Sequence, residues 1–169
     1  MCVCVCVSFF VFFFVFHFSF FFWFFFQAIL PFKKKVARFG ITTHRGPPAP
    51  QITSTIKDIY NVTILGEEPG VAAIIYMFIE PEYRSTGLGE MALEIISSIQ
   101  ALQRCDFTIL VADDDGSGKL IDWYTQNGFQ KAPLIQDLMG SPGGIHGITM
   151  IRPTVVSNDV YHNCTIEWW

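Results

Sequence analysis

Arg84-Ser85-Thr86-Gly87-Leu88-Gly89 is the stretch of this chain whose residue types and spacing can do chemistry. Two glycines one residue apart let the backbone bend sharply just before an apolar-periodic run. Several main-chain N–H groups and the positive end of the following helix can then converge on one anion. A pyrophosphate suits such a loop, so a diphosphate-bearing ligand is the first expectation. A second cluster, Asp113-Asp114-Asp115-Gly116-Ser117-Gly118, imitates the opening of a calcium loop. The position where such a loop needs a bidentate Glu falls on Tyr124, and a strand-like run precedes it where a helix is required, so calcium is rejected. Cys105 and Cys164 have no neighbours at zinc spacing, and Cys2, Cys4 and Cys6 lack an accompanying His or acid. No metal site is expected. His146 stands in the Gly-rich stretch 140–147, where a lone loop histidine usually does nothing catalytic.

Around the glycine loop the sequence marks the elements that must hold it. Val71 to Ile79 is a nearly continuous apolar run, the pattern of a strand buried on both faces. Leu88, Met91, Ala92, Ile95, Ile96, Ile99 and Leu102 recur at helical spacing, so one face of a helix packs on the sheet. Phe107 to Ala112 reads as the next strand. Leu120, Ile121 and Tyr124 with the Gly128 stop signal outline a short helix, Phe129 to Ile135 a further strand, and Ile148 to Ile151 a last one. Upstream, Ile56, Ile59, Val62 and Ile64 make Ile52 to Leu65 rich in β-branched residues. The turn Gly66 to Gly70 then joins this segment to Val71–Ile79, and a hairpin is the natural connection. Residues 28–51, basic and then rich in Gly and Pro, show no sustained period and read as a linker or the remnant of an interrupted domain.

The 169 residues, enough for one domain, splice two compositions. Residues 1–27 hold thirteen of the 18 Phe and no charge, and every charged side chain lies from Lys33 onward. Taken literally, residues 3–32 are long and apolar enough to span a bilayer, with Lys33-Lys34-Lys35 as a cytoplasmic flank that leaves the domain inside the cell. Strict Cys-Val alternation from Cys2 to Val7 and the absence of Leu before Leu30 are odd for a membrane helix. The preferred hypothesis is conceptual translation of a TG repeat and a pyrimidine tract closed by the CAG of Gln27, that is, an intron. A membrane partner is expected only if the segment is a genuine anchor; transcript reads running through the Phe tract as coding sequence would sink the intron reading. The formal net charge of −4, with scattered Lys and Arg, gives no basic stripe and argues against nucleic acid as the main partner.

The series strand, Arg-x-x-Gly-x-Gly, helix, strand, short helix ending in Tyr124-x-x-x-Gly128-Phe129 resembles the GCN5-related N-acetyltransferases (GNAT family). Pro81-Glu82-Tyr83 leading into the loop and Trp123 to Phe129 downstream carry the likeness, firmly over 71–130 and more loosely over 52–152. The resemblance implies an α/β (α+β) fold, a mixed central sheet with flanking helices, over 52–169. Little in 28–51 matches the strand and two helices with which that family's domain normally opens. It further implies acetyl-CoA as co-substrate and a primary amine, on a protein or a small molecule, as acceptor.

By the same resemblance, Arg84, Ser85, Thr86, Gly87, Leu88 and Gly89 bind the coenzyme pyrophosphate through main-chain N–H groups. The strand end Phe78-Ile79 offers its main chain to the pantetheine amides, since a buried amide left unpaired costs about 1–3 kcal/mol. Tyr124 corresponds to the family's general acid for the departing thiolate. Ser117 stands where the family often has an Asn touching the coenzyme, and a hydroxyl can still make one bond. Because an ammonium has no lone pair, direct transfer also needs a base; Glu80 is first choice and Glu82 second. The rival expectations are a module that binds acyl-CoA without turnover and a truncated fragment too small to offset its chain entropy.

Overall fold

The computed structural model describes residues 6–13, 21–29, 35–44, 50–66, 68–136, 147–154 and 164–168. Phe- and Val-rich stretches favour extended backbone, because aromatic and β-branched side chains suit a pleated surface. Cys6–Phe13 (β1) and Phe21–Ile29 (β2) accordingly pair as antiparallel strands. The segment weighed above as a bilayer-spanning helix is thus extended wherever it is described. No helix among the described residues is long and apolar enough to cross a membrane.

β2 pairs with Lys35–His44 (β3), which pairs antiparallel with Val71–Ile79 (β5). Residues 35–44 are therefore a strand within the sheet and not linker. Their strand period is hidden because Val36, Ala37, Phe39, Ile41 and Thr42 are buried on both faces while Arg38 and Gly40 break the apolar run, which leaves neither strict alternation nor a continuous apolar stretch. Between β3 and β5 the expected hairpin does not form. Pro50–Tyr60 is a helix (α1), and Val62–Gly66 (β4) pairs with Cys164–Trp168 (β9) in a separate two-stranded sheet. Ile52, Ile56 and Ile59 stand at i, i+4 and i+7 and pack on the sheet, an apolar stripe that overrides the β-propensity of the individual residues.

Leu88–Leu102 (α2), Phe107–Ala112 (β6) and Lys119–Gln126 (α3) form as the periodicity predicts. The expected strand 129–135 is reduced to Gln130–Lys131 (β7), because Pro133 opens a 3-10 turn, Pro133–Ile135. Ile148–Pro153 (β8) completes the main sheet, of order β1-β2-β3-β5-β6-β8-β7. The β5–β6 pair is parallel and all others are antiparallel.

Two cores follow from the alternation along the central strands. On one face Phe39, Ile41, Ile74, Leu110 and Met150 meet Ala92, Leu93 and Ile96 of α2 and Tyr124 of α3. On the other, Val71, Phe107, Ile109 and Ile151 meet Ile56 of α1 and Ile135. His146 and most of the Gly-rich stretch 140–147 lie outside the described residues.

Candidate active site

β5 pairs with β6 only from Val71↔Phe107 to Ile74↔Leu110, whereas its pairing with β3 continues to Ile79. The two central strands therefore part beyond Ile74. The register against β3 shifts at the same point: Gly40 faces Tyr76 and Ile41 faces Ile74, which leaves Ile75 as the extra residue of a bulge. Ile75 and Tyr76 are 44 % and 39 % exposed, unusual for large apolar side chains on a central strand. Gly40 makes this arrangement possible, since a Cβ there would stand 2.7 Å from the Tyr76 ring.

A bulge also changes which main-chain groups face which neighbour. The Glu80 N–H donates to the Val36 carbonyl at 3.0 Å, so Glu80 and its partner Val36 form a hydrogen-bonded pair. By strict antiparallel alternation Phe78 then also turns its main chain to β3, while Met77 and Ile79 turn theirs to the gap beside β6. Of the two residues expected to offer main chain to a ligand, Ile79 faces the gap and Phe78 does not. Met77, which the sequence does not single out, turns its main chain to the same gap. The Ile79 carbonyl accepts a hydrogen bond from Arg84 Nε at 3.2 Å, so the remaining groups on this edge are the Ile79 N–H and both groups of Met77.

The chain leaves β5 through Glu80, which is half-buried, and a 3-10 turn, Pro81–Tyr83, on which Glu82 is exposed. Thr86 Oγ1 donates to the Tyr83 carbonyl at 2.6 Å and fastens the loop. Arg84 is exposed and, with Arg38, stands over the Phe78 ring at 5.7 and 4.9 Å. Ser85 (φ 61°) and Gly87 (φ 83°) are both left-handed, a conformation open to glycine and strained for serine. The first helical bond of α2 runs from the Met91 N–H to the Gly87 carbonyl. Among the described residues the N–H groups of Ser85, Thr86, Gly87, Leu88 and Gly89 meet no acceptor. They collect at the positive end of a 15-residue helix.

Gly87 and Gly89 do different jobs. A Cβ at Gly87 would meet nothing, so only its φ requires glycine; at Gly89 it would stand 2.8 Å from Trp123 Cζ2. The second glycine thus admits the Trp123 indole of α3 against the start of α2. Trp123 Nε1–H donates to Glu90 Oε1 at 2.8 Å across the same contact. That bond, with one from its own main chain, holds the Glu90 carboxyl below its ordinary value.

α3 is short, and both its ends are built from side-chain and cap bonds. At its start Asp114 accepts from the N–H groups of Gly116, Gly118 and Leu120 at 2.9, 2.7 and 3.0 Å. The acidic cluster that imitated a calcium loop is in this sense a helix cap, and among the described residues no group of acids, His and Cys is placed to hold a metal ion. Ser117 is exposed, but its hydroxyl is engaged within the turn: it accepts the Lys119 N–H at 3.3 Å and, with its own N–H, holds Asp115 below the usual carboxylate range.

At its end the Phe129 N–H donates to the Tyr124 carbonyl and the Gly128 N–H to the Thr125 carbonyl, both at 3.0 Å, with Gly128 left-handed (φ 84°). This is the Schellman stop, and the hydrophobic contact that accompanies it is Tyr124 on Phe129, edge-to-face at 5.4 Å. Tyr-x-x-x-Gly-Phe is therefore a helix terminator that fixes the tyrosine ring. Tyr124 is 7 % exposed, and burial pushes its phenol up to about 12. Its hydroxyl meets no acceptor among the described residues. An open groove lined by Ile121, Thr125, Gly128, Phe129 and Lys131 borders the helix stop and includes no residue of β5 or of the glycine loop.

A parted strand pair, a bent loop of open N–H groups at a helix start, and a buried phenol held by a helix stop sit in one mixed α/β architecture, and the same fold recurs in solved acetyltransferases. A candidate acyl-CoA N-acyltransferase from Klebsiella pneumoniae superposes with a TM-score of 0.53 at 15 % identity, over 79 % of this chain and 73 % of that one. A GNAT-family acetyltransferase from Staphylococcus aureus gives 0.51 at 16 % identity, over 79 % and 68 %. Naa20 of Chaetomium thermophilum, in complex with a bisubstrate analogue, gives 0.50 at 18 % identity, over 76 % and 65 %. No family model and no curated protein matches the chain in sequence. At these identities the likeness establishes the fold: the chain has the GNAT fold, as the motifs around Gly87 and Tyr124 imply.

Proposed function

We propose that this chain is an N-acetyltransferase that moves acetyl from acetyl-CoA to a primary amine by direct transfer. The observation that carries the reading is the parting of β5 from β6 at Ile74, beside the open N–H groups of Ser85–Gly89. Bound acetyl-CoA supplies the activated acetyl group. The loop N–H groups and the α2 dipole hold its pyrophosphate. Met77 and Ile79 complete the half-made sheet edge by pairing with the pantetheine amides. Glu80, at the end of β5, takes the proton from the acceptor amine, whose nitrogen then forms the C–N bond as the C–S bond breaks. Glu82 is more exposed and is the second choice for that base.

The phenol of Tyr124 faces the departing sulfur. A thiol titrates near ~8.5, and a phenol at about 12 loses its proton to such a thiolate only uphill, by roughly 5 kcal/mol. Its role is accordingly that of a permanently protonated hydrogen-bond donor to the sulfur as the bond breaks, while the proton that the attacking nitrogen gives up on becoming an amide, relayed by water, neutralises the thiolate. Burial makes Tyr124 a weaker acid and a more constant donor.

Thermal unfolding of the full chain with and without acetyl-CoA, followed by assay on a panel of primary amines, tests this. Coenzyme at about a hundred times its Kd raises the midpoint by roughly 5–10 °C. Such a rise with no transfer to any amine identifies a binding module without turnover. No rise refutes the coenzyme site, and a non-cooperative transition supports the incomplete-domain reading.

A further inference from the structure

Arg152 is a half-buried cation for which the reading above has no use. Arg152, on β8, donates from Nη1 to the Asn127 carbonyl at 2.7 Å and from Nη2 to Ser97 Oγ at 2.5 Å. Its guanidinium lies 4.6 Å from the centroid of the Phe129 ring. Among the described residues it has no carboxylate partner, and its Nε is buried without an acceptor. Burial lowers its pKa, so the fold bears a desolvation penalty to keep a charge in this position.

The three contacts have one thing in common. Asn127 is the C-cap of α3, and its carbonyl is the last acceptor of a helix whose Tyr124 and Thr125 carbonyls are already taken by the Schellman bonds. Phe129 is the residue whose ring sets the Tyr124 ring. Ser97 lies on α2, the helix that begins in the glycine loop. A helix of eight residues has little stability of its own, and a cation at its negative end both satisfies the carbonyl and opposes fraying. Lysine, with a single nitrogen, cannot hold both acceptors and lie flat on the ring.

We propose that Arg152 is a positioning residue for Tyr124, acting through the α3 C-cap and the Phe129 ring and tying that cap to α2. The catalytic part of this inference rests on the role given to Tyr124 above; the structural part does not. The test uses the full chain with Arg152→Met, and with Arg152→Lys, which keeps the charge but loses the fork and replaces the methionine variant if that one does not fold.

Hydrogen exchange at neutral pH reads the cap directly. The Gly128 and Phe129 amides are expected to exchange about tenfold faster in Arg152→Met, with Ile96 and Ile109 unchanged and the lysine variant intermediate. Uniform acceleration, or none at the cap, overturns the proposal. In the transfer assay kcat falls about tenfold while KM for acetyl-CoA stays within twofold. In a Tyr124→Phe background Arg152→Met has no further effect on kcat, because the group it positions is gone. Multiplying effects in the double variant overturn the positioning role. A wild-type chain that acetylates no amine defeats the acetyltransferase reading instead, and the exchange result still decides whether Arg152 holds the cap.

Discussion

Substituting Gly89→Ala sets two effects against each other. Alanine is a better helix former than glycine by about 0.5–1 kcal/mol, so at an exposed site in the first turn of α2 it would stabilise. Here the new methyl stands 2.8 Å from Trp123 Cζ2 and 3.3 Å from Cη2, and the indole must retreat by several tenths of an ångström. It is not free to do so: Nε1 is bonded to Glu90, and the ring packs on Tyr124 at 4.9 Å. Overpacking of this kind costs about 1–3 kcal/mol, and a lost Trp–Glu bond adds about 1. The steric term wins, with a net loss of about 1–3 kcal/mol, or roughly 2–12 °C in the midpoint of thermal unfolding. Denaturant titration of Gly89→Ala, Trp123→Ala and the double variant measures it. Once the indole is removed, alanine at 89 should become neutral or stabilising, a coupling of about 1 kcal/mol or more. Additive effects, or a more stable single variant, would refute the assignment of this glycine to helix packing and return it to the loop backbone.

Gly87→Ala meets no steric obstacle yet forces a left-handed alanine, so it should cost about 1–2 kcal/mol, recovered in part by Asn, and should weaken acetyl-CoA in the same thermal assay. Tyr124→Phe removes a hydroxyl with no partner among the described residues, so stability and acetyl-CoA binding should hold while kcat falls by about 10²-fold or more; an unchanged kcat would remove Tyr124 from the mechanism. The raised phenol also makes a signed pH prediction. Below about pH 10 the folded and unfolded chains both keep the proton, whereas between about 10 and about 12 only the unfolded chain releases it. Stability therefore drops by up to about 3 kcal/mol across that window in the wild type and by less in Tyr124→Phe, as alkaline denaturation curves would show. Asp114→Ala removes the acceptor of three N–H groups at the start of α3 and should lower the denaturant midpoint by an equivalent of roughly 2 kcal/mol.

How much of this was legible in the sequence depended on how local the cause was. α2 and α3 are each specified by their own periodicity and stop signals, and the sequence reading places both correctly. β3 is not legible because Arg38, Gly40 and Thr42 interrupt its buried apolar residues, leaving neither a continuous apolar run nor a strict alternation, and α1 is not because its Ile and Thr residues favour strands one at a time while their spacing favours a helix. The loop was found for a reason only half right. Gly87 serves the bend, but Gly89 serves Trp123, and nothing within six residues of Gly89 announces a tryptophan 34 positions on.

The parity of β5 is the clearest case of information that a linear reading lacks. Whether Met77 or Phe78 presents its main chain to the gap depends on one extra residue at Ile75, and that residue is tolerated because Gly40, on another strand, leaves room for the Tyr76 ring. Gly40→Ala therefore perturbs the candidate site without touching it. Its methyl would meet the ring at 2.7 Å, and the strand can relieve the contact by removing the bulge, which would return Phe78 to the gap and turn Met77 toward β3. The same dependence links the two ends of the site. The Met77 main chain is aimed by a strand bulge, the Tyr124 phenol by a helix stop, and each is set by a contact with a residue that performs no chemistry.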